Sequence, residues 1–118
     1  MTAPNVVSVG TITGKTDVSA AVGTAATAVV QNAAASGNVY KVNLLTCSNI
    51  TAGAVTVTVD IYRSATAYTI AKSISIPAGA SLDVLSKGIY LEEGDDLRVT
   101  SDTASALDVV CSYEIISE

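Results

Sequence analysis

The 118-residue chain has no histidine, phenylalanine or tryptophan, and only one methionine, two prolines and two cysteines. Without histidine it lacks the commonest general base, the commonest metal ligand and the usual pH switch. Two cysteines with no histidine do not make a zinc site. Charge is also scarce: 14% of residues carry it, against about 25% in ordinary soluble domains. The basic residues Lys15, Lys41, Arg63, Lys72, Lys87 and Arg98 are scattered through a chain of net charge −5. No basic stripe or aromatic platform for nucleic acid is therefore present. Mean hydropathy is +0.48, yet no apolar run approaches the roughly 20 residues of a membrane helix. The N-terminus has neither the basic start nor the apolar centre of a signal peptide. An apolar, weakly charged, unanchored chain points to surface hidden in an assembly.

What is present is strand pattern. In AVTVTVDIYR, Val55, Val57, Val59 and Ile61 share one face and Thr56, Thr58, Asp60 and Tyr62 the other, the alternation of a half-buried strand. The last segment repeats it, with Leu107, Val109, Cys111, Tyr113 and Ile115 opposite Asp108, Ser112 and Glu114. Between them, 39–48 places Tyr40, Val42 and Leu44 on one face, and 68–76, 80–86, 88–91 and 96–101 complete the strand-like runs. Turn signals every 8 to 12 residues predict an all-β fold, an antiparallel sandwich or barrel rather than βαβ units. Alanine, valine, threonine and serine make up just over half of the chain. Such small filler suits a thin two-layer core and leaves little surplus stability, so further burial against identical copies is favourable.

Residues 1–36 hold almost nothing larger than valine, and Lys15 and Asp17 are their only charges. VVSVGTI and TAATAVV alternate as strands do. Alanines in 17–28 invite a helix, but Gly23 and the threonines argue against one. The first fifteen or so residues are either an extended arm lying across a neighbouring subunit or an ordinary first strand with a frayed end. Residues 1–36 are thus read as N-terminal strands or an arm, on or within the same unit as the sandwich of 37–118, with one domain overall.

The two most informative turns are Ile76-Pro77-Ala78-Gly79 and Leu91-Glu92-Glu93-Gly94-Asp95-Asp96, where glycine permits a positive φ between strands. EEGDD crowds carboxylates, but it lacks the alternate spacing and closing glutamate of an EF-hand loop, which leaves a solvated acidic turn. Asn49-Ile50-Thr51 matches the glycosylation pattern, a chance match in a chain without a secretory signal. Cys47 and Cys111 are expected as buried thiols, a disulfide being feasible only if their strands are neighbours. No nucleophile elbow, GxGxxG or Walker sequence occurs. No catalytic residue, cofactor or metal is expected, and the chain is read as non-enzymatic.

The rhythm of IPAG followed by EEGD resembles cupin-type jelly rolls, whose metal is held mostly by histidines; on that likeness the active site here is empty. The stretches VDIYRS, SIPAGASLDVLSKG, YLEEGDDLRVTS and DVVCSYEIIS are most similar to small virion structural proteins of tailed bacteriophages, particularly cyanophage-like ones. The resemblance covers about the last two-thirds of the chain. It implies a β-sandwich or jelly roll, no enzymatic activity and assembly into virions in the bacterial cytoplasm. The expected role is a capsid decoration or cement protein bound to the major capsid protein, as a homo-oligomer and, given threefold lattice positions, a trimer. Alternatives are a tail, neck or baseplate component, or a host-surface glycan-binding module. Neither nucleic acid nor membrane is an expected partner. Tyrosines bury contact area at small entropic cost, so Tyr62, Arg63 and Tyr68, in and around a loop at 63–67, are expected contact residues. The N-terminal residues Val6, Val7, Val9 and Ile12 and the turn residues Glu92, Glu93 and Asp95 join them.

Overall fold

A computed structural model describes residues 10–117. Nine strands are present: β1 (Thr11–Val22), β2 (Thr27–Gln31), β3 (Val39–Asn49), β4 (Val55–Arg63), β5 (Thr66–Ile76), β6 (Ser81–Asp83), β7 (Ile89–Leu91), β8 (Asp96–Ser101) and β9 (Leu107–Ser117). One sheet runs β1-β9-β3-β6, with β7 also on β3, and the other runs β2-β8-β4-β5. All pairings are antiparallel. Every connection crosses between the sheets except the β4–β5 hairpin and the β6–β7 link. With β6 and β7 sharing one position, this is an eight-position jelly roll of two interlocked Greek keys. β1 and β2 are full members of the two sheets, pairing with β9 and β8.

The expected alternation of β4 and β9 is observed. Val55, Val57 and Val59 are buried, as are Leu107, Val109, Cys111 and Tyr113, and they meet Leu45, Leu91, Leu97 and Val99 in the core. Tyr113 stacks on Tyr40 with ring centroids 5.4 Å apart. In β3 the face changes partway. The register shifts between Val42 and Leu44, so Val42 and Leu45 both point into the core while Leu44 is exposed. The expectation that Leu44 shares the face of Val42 fails because one extra residue at a β-bulge inverts the side-chain phase.

The segment 63–67 is not a loop. Arg63 pairs with Thr66, and Ser64 and Ala65 alone make the turn, at φ 51° and 60°. Two successive positive φ values define the primed hairpin turn that matches strand twist, a geometry favouring Asn-Gly. Replacing Ser64-Ala65 by Asn-Gly is expected to raise stability by about 1 kcal/mol in urea unfolding, by relieving left-handed strain; an unchanged or lower midpoint would contradict this. The segment 80–86 shortens to β6, whose pairing with β3 stops at Thr46–Asp83 although β3 itself runs on to pair with β7.

Candidate functional site

Two corners of the jelly roll are built identically, each around a buried asparagine. Asn49 donates its Nδ2 to the carbonyls of Gly53 (2.8 Å) and Ile76 (2.9 Å), and its Oδ1 accepts from the Thr51 N–H and hydroxyl. Its backbone N–H donates to Ala80 O and its carbonyl accepts from the Gly79 N–H. Asn32 repeats the scheme one turn later. Its Nδ2 donates to Leu91 O and Asn38 O, both at 3.0 Å, and its Oδ1 accepts from the Ser36 hydroxyl. Its N–H donates to Asp95 O, and its carbonyl accepts from the Gly94 N–H. IPAGA (76–80) and LEEGD (91–95) are thus equivalent turns. Each is closed by a backbone bond, Ala80 to Pro77 O and Asp95 to Glu92 O, and each carries its glycine at positive φ. Asn49 is 2% exposed, so the Asn49-Ile50-Thr51 triplet here is a corner clamp.

The acidic turn is bound up in the same corner. Asp95 is fully buried and accepts from the Arg63 Nε (2.7 Å), the Arg63 Nη2 and the Glu92 N–H (2.8 Å). Arg63 also reaches Glu92 at 2.9 Å. Glu93 accepts from the Gly37 N–H at 3.0 Å. Three carboxylates in this turn therefore have protein partners, and among the described residues no group of three or more His, Cys, Asp or Glu side chains could hold a metal ion. The fork of Arg63 fits Asp95 through two parallel bonds, and hydrogen bonding to Asp95 raises the guanidinium pKa further. Arg63→Ala is expected to cost about 2 kcal/mol, because a buried carboxylate loses its counter-ion. The value stays below the roughly 3–5 kcal/mol of a fully buried pair because Arg63 is itself half-exposed. Arg63→Lys should recover only part of it, as a point charge cannot make both bonds. A thermal melt unchanged by Arg63→Ala would contradict this role.

The structure brings Arg63, Glu92 and Asp95 together from residues expected separately as contacts. Tyr62 lies on the outer face of its sheet under the Arg98 guanidinium, 3.6 Å from the ring centroid, which covers one face of the ring that a sugar would use. Tyr68 is 57% exposed and lines a cleft of about 350 Å³ with Ile61 and Arg63. Ile12 belongs to the other sheet and is exposed at the start of β1. Val6, Val7 and Val9 lie outside the described residues.

Beside Tyr68 and Ile12, which were expected as contacts, several exposed apolar positions were not legible in the sequence, Val18 the most exposed of them. On the outer face of the β1-β9-β3 sheet, Val18 stands 71% exposed beside Val110, with Leu44 and Tyr90 on the same face. On β5, Ile70 and Ile74 are exposed with Tyr68, because the short β6 and β7 leave that side of the sandwich thinly covered. Alternation could have flagged Val18. It sits in a threonine- and alanine-rich stretch where no neighbouring position is large enough to mark a face.

Cys47 and Cys111 are both free and fully buried, on the neighbouring strands β3 and β9. Cys111 pairs with Leu45 and Cys47 with Val109, so the thiols are diagonal neighbours, wider apart than a disulfide favours. Burial pushes both thiols up to about 12, and for Cys111 the nearby Asp17 and Cys47 add to it.

No protein-family model matches the chain, and no curated protein matches it. Among solved structures, one from Bacillus endospore appendages, described as disulfide-linked pili, aligns with a TM-score of 0.57. The alignment covers 91% of this chain and 88% of that chain at 15% identity. At that identity the likeness is one of fold alone.

Proposed function

We propose that the chain is a non-enzymatic structural subunit that assembles with its own copies, most specifically a capsid decoration or cement protein of a tailed phage, carried in the virion. The observation that carries this reading is the surface. Large apolar side chains (Val18, Leu44, Tyr90, Tyr68, Ile70, Ile74) stand exposed on both sheets of a chain with little charge. Solitary exposed hydrophobes are ordinary, but clusters of them on a rigid scaffold are interaction surface. The polar side chains of Asn32, Asn49, Arg63 and Asp95 are spent on holding the turns at the corners. A cement protein works in this way: a rigid body covers seams between major capsid protein subunits, and modest contacts repeated by symmetry raise resistance to internal pressure.

The test is add-back. Heads lacking the protein are expected to release DNA at lower temperature and regain resistance when the purified chain is bound. Binding without any gain in head stability would overturn the cement role, and a tail, neck or baseplate position would show as failure to bind heads at all. A second reading, a filament subunit, is supported by the fold shared with the spore appendage. That neighbour is described as disulfide-linked; here both cysteines are buried, so any filament of this chain would be held without disulfides through them. Electron microscopy of the concentrated chain separates the two, since a filament subunit forms fibres and a cement protein does not.

A further inference from the structure

A jelly roll has four sheet edges, and here three of them are blunted. β2 is five residues long and β6 and β7 three each. β5 is long, but its register breaks twice against β4 and Ser73 sits at φ 52°. Short strands and bulges are the usual guards against edge-to-edge pairing. β1 has no such guard over most of its length. Its register with β9 is uninterrupted from Thr11 to Ser19, and the bulge comes only afterwards, with Ala21 at φ 54°. Thr11 to Thr16 are exposed on both faces, so this half of the strand stands clear of the sandwich, and among the described residues no strand pairs with its outer edge. The one long regular edge among the described residues finds an equal partner only in the same edge of another copy. Two identical edges meet antiparallel about a twofold axis.

The side chains select the register. Lys15 and Asp17 lie two apart on one face, and Asp17 is held there by the Tyr113 hydroxyl at 2.7 Å. With the axis at Thr16, Lys15 faces Asp17 of the partner subunit, and the reverse pair forms on the other side. A slip of two residues one way opposes Lys15 to itself, and a slip the other way opposes Asp17 to itself; like charges directly opposite are unfavourable. On the other face the same register sets Val18 over Gly14 of the partner subunit, large against small. Gly14 has open space where a Cβ would stand, and a strand glycine often marks close approach of another backbone.

We infer that β1 is a self-association edge, joining two copies through antiparallel β1–β1 pairing centred on Thr16 into one continuous sheet. This rests on the structural-subunit reading and specifies its first contact, a twofold and not a threefold one. The tests use the full chain. Wild type is expected to dimerise reversibly in sedimentation equilibrium. Thr16→Lys and Thr16→Glu each set like charges face to face at the axis and should weaken dimerisation about tenfold. Thr16 is exposed, so both variants should keep the wild-type circular dichroism and melting temperature. An equimolar mixture of the two should recover wild-type affinity as a heterodimer, a result that only a self-facing residue 16 gives. A monomeric wild type, variants that associate as wild type does, or a mixture that fails to recover would overturn the inference. Virions that incorporate Thr16→Lys normally would overturn the edge pairing and leave the subunit reading standing. Absence of the chain from virions would overturn the virion reading and leave the dimer measurement valid.

Discussion

Asn49→Ala is expected to lower stability by about 3 kcal/mol, and Asn32→Ala by a similar amount, each reducing the melting temperature by roughly 10 °C. The magnitude follows from what each side chain holds. Asn49 supplies two donors to backbone carbonyls and accepts two further bonds from Thr51, and is itself 2% exposed. An ordinary hydrogen bond is worth about 1 kcal/mol net, but leaving buried partners unsatisfied costs more. Asn49→Asp should be worse than alanine, because it removes both donors and buries a charge beside carbonyl oxygens. Asn43→Ala provides the control: Asn43 is exposed and touches Glu114 at 3.4 Å, so its loss should stay within about 0.5 kcal/mol. If Asn49→Ala and Asn43→Ala melt alike, the corner clamps do not hold the fold together.

Alkaline pH should destabilise the protein well before any of its arginines titrate. The Cys47 and Cys111 thiols, ordinarily near 9, are pushed up to about 12 by burial in the folded chain. Below pH 9 both folded and unfolded chains keep these protons, and the contribution is fully present. Between pH 9 and 12 the unfolded chain releases them and the folded chain does not, so stability falls as pH rises. Each pH unit removes about 1.4 kcal/mol per thiol. By pH 10.5 the two thiols together account for about 4 kcal/mol, a large share of a small domain's total. Tyr113, raised in the same direction first by burial and then by its bond to Asp17, adds to the loss at still higher pH. The check is urea unfolding from pH 8 to 10.5. The midpoint should drop steadily above pH 9, and most of that slope should vanish in the Cys47→Ala, Cys111→Ala double variant. A flat profile in the native chain would mean that the thiols are open to water.

Much of this fold was legible where burial is one-sided. The valines of β4 and the odd-numbered residues of β9 alternate because one face meets the core and the other meets solvent, and the two glycine turns mark where strands change sheets. The rest was hidden for identifiable reasons. One extra residue at Asn43 inverts the face of β3, and no residue type announces a bulge. β1 leaves no alternating trace because most of it is exposed on both faces, so its threonines and alanines looked like an ill-defined N-terminal segment. Arg63 and Asp95 were each singled out as exposed contacts, but they are 32 positions apart, and nothing local joins them. The asparagine clamps were the clearest omission. Asn49 closes a strand just before a small-residue loop, and Asn32 follows one in the same way. Their parallel with the two turns fifteen residues apart is visible in the sequence only once the pairing of corners is known.

A scaffold with clamped corners, exposed apolar faces and one long regular strand edge is suited to being built into something larger. On the proposed virion reading, the most direct measurement is the copy number of this chain in purified phage particles, by quantitative mass spectrometry against the major capsid protein. The cement reading predicts a ratio near one to one, or one to a small integer. A few copies per hundred capsid subunits would move the chain to neck, tail or baseplate, and its absence from the particle would contradict the virion account.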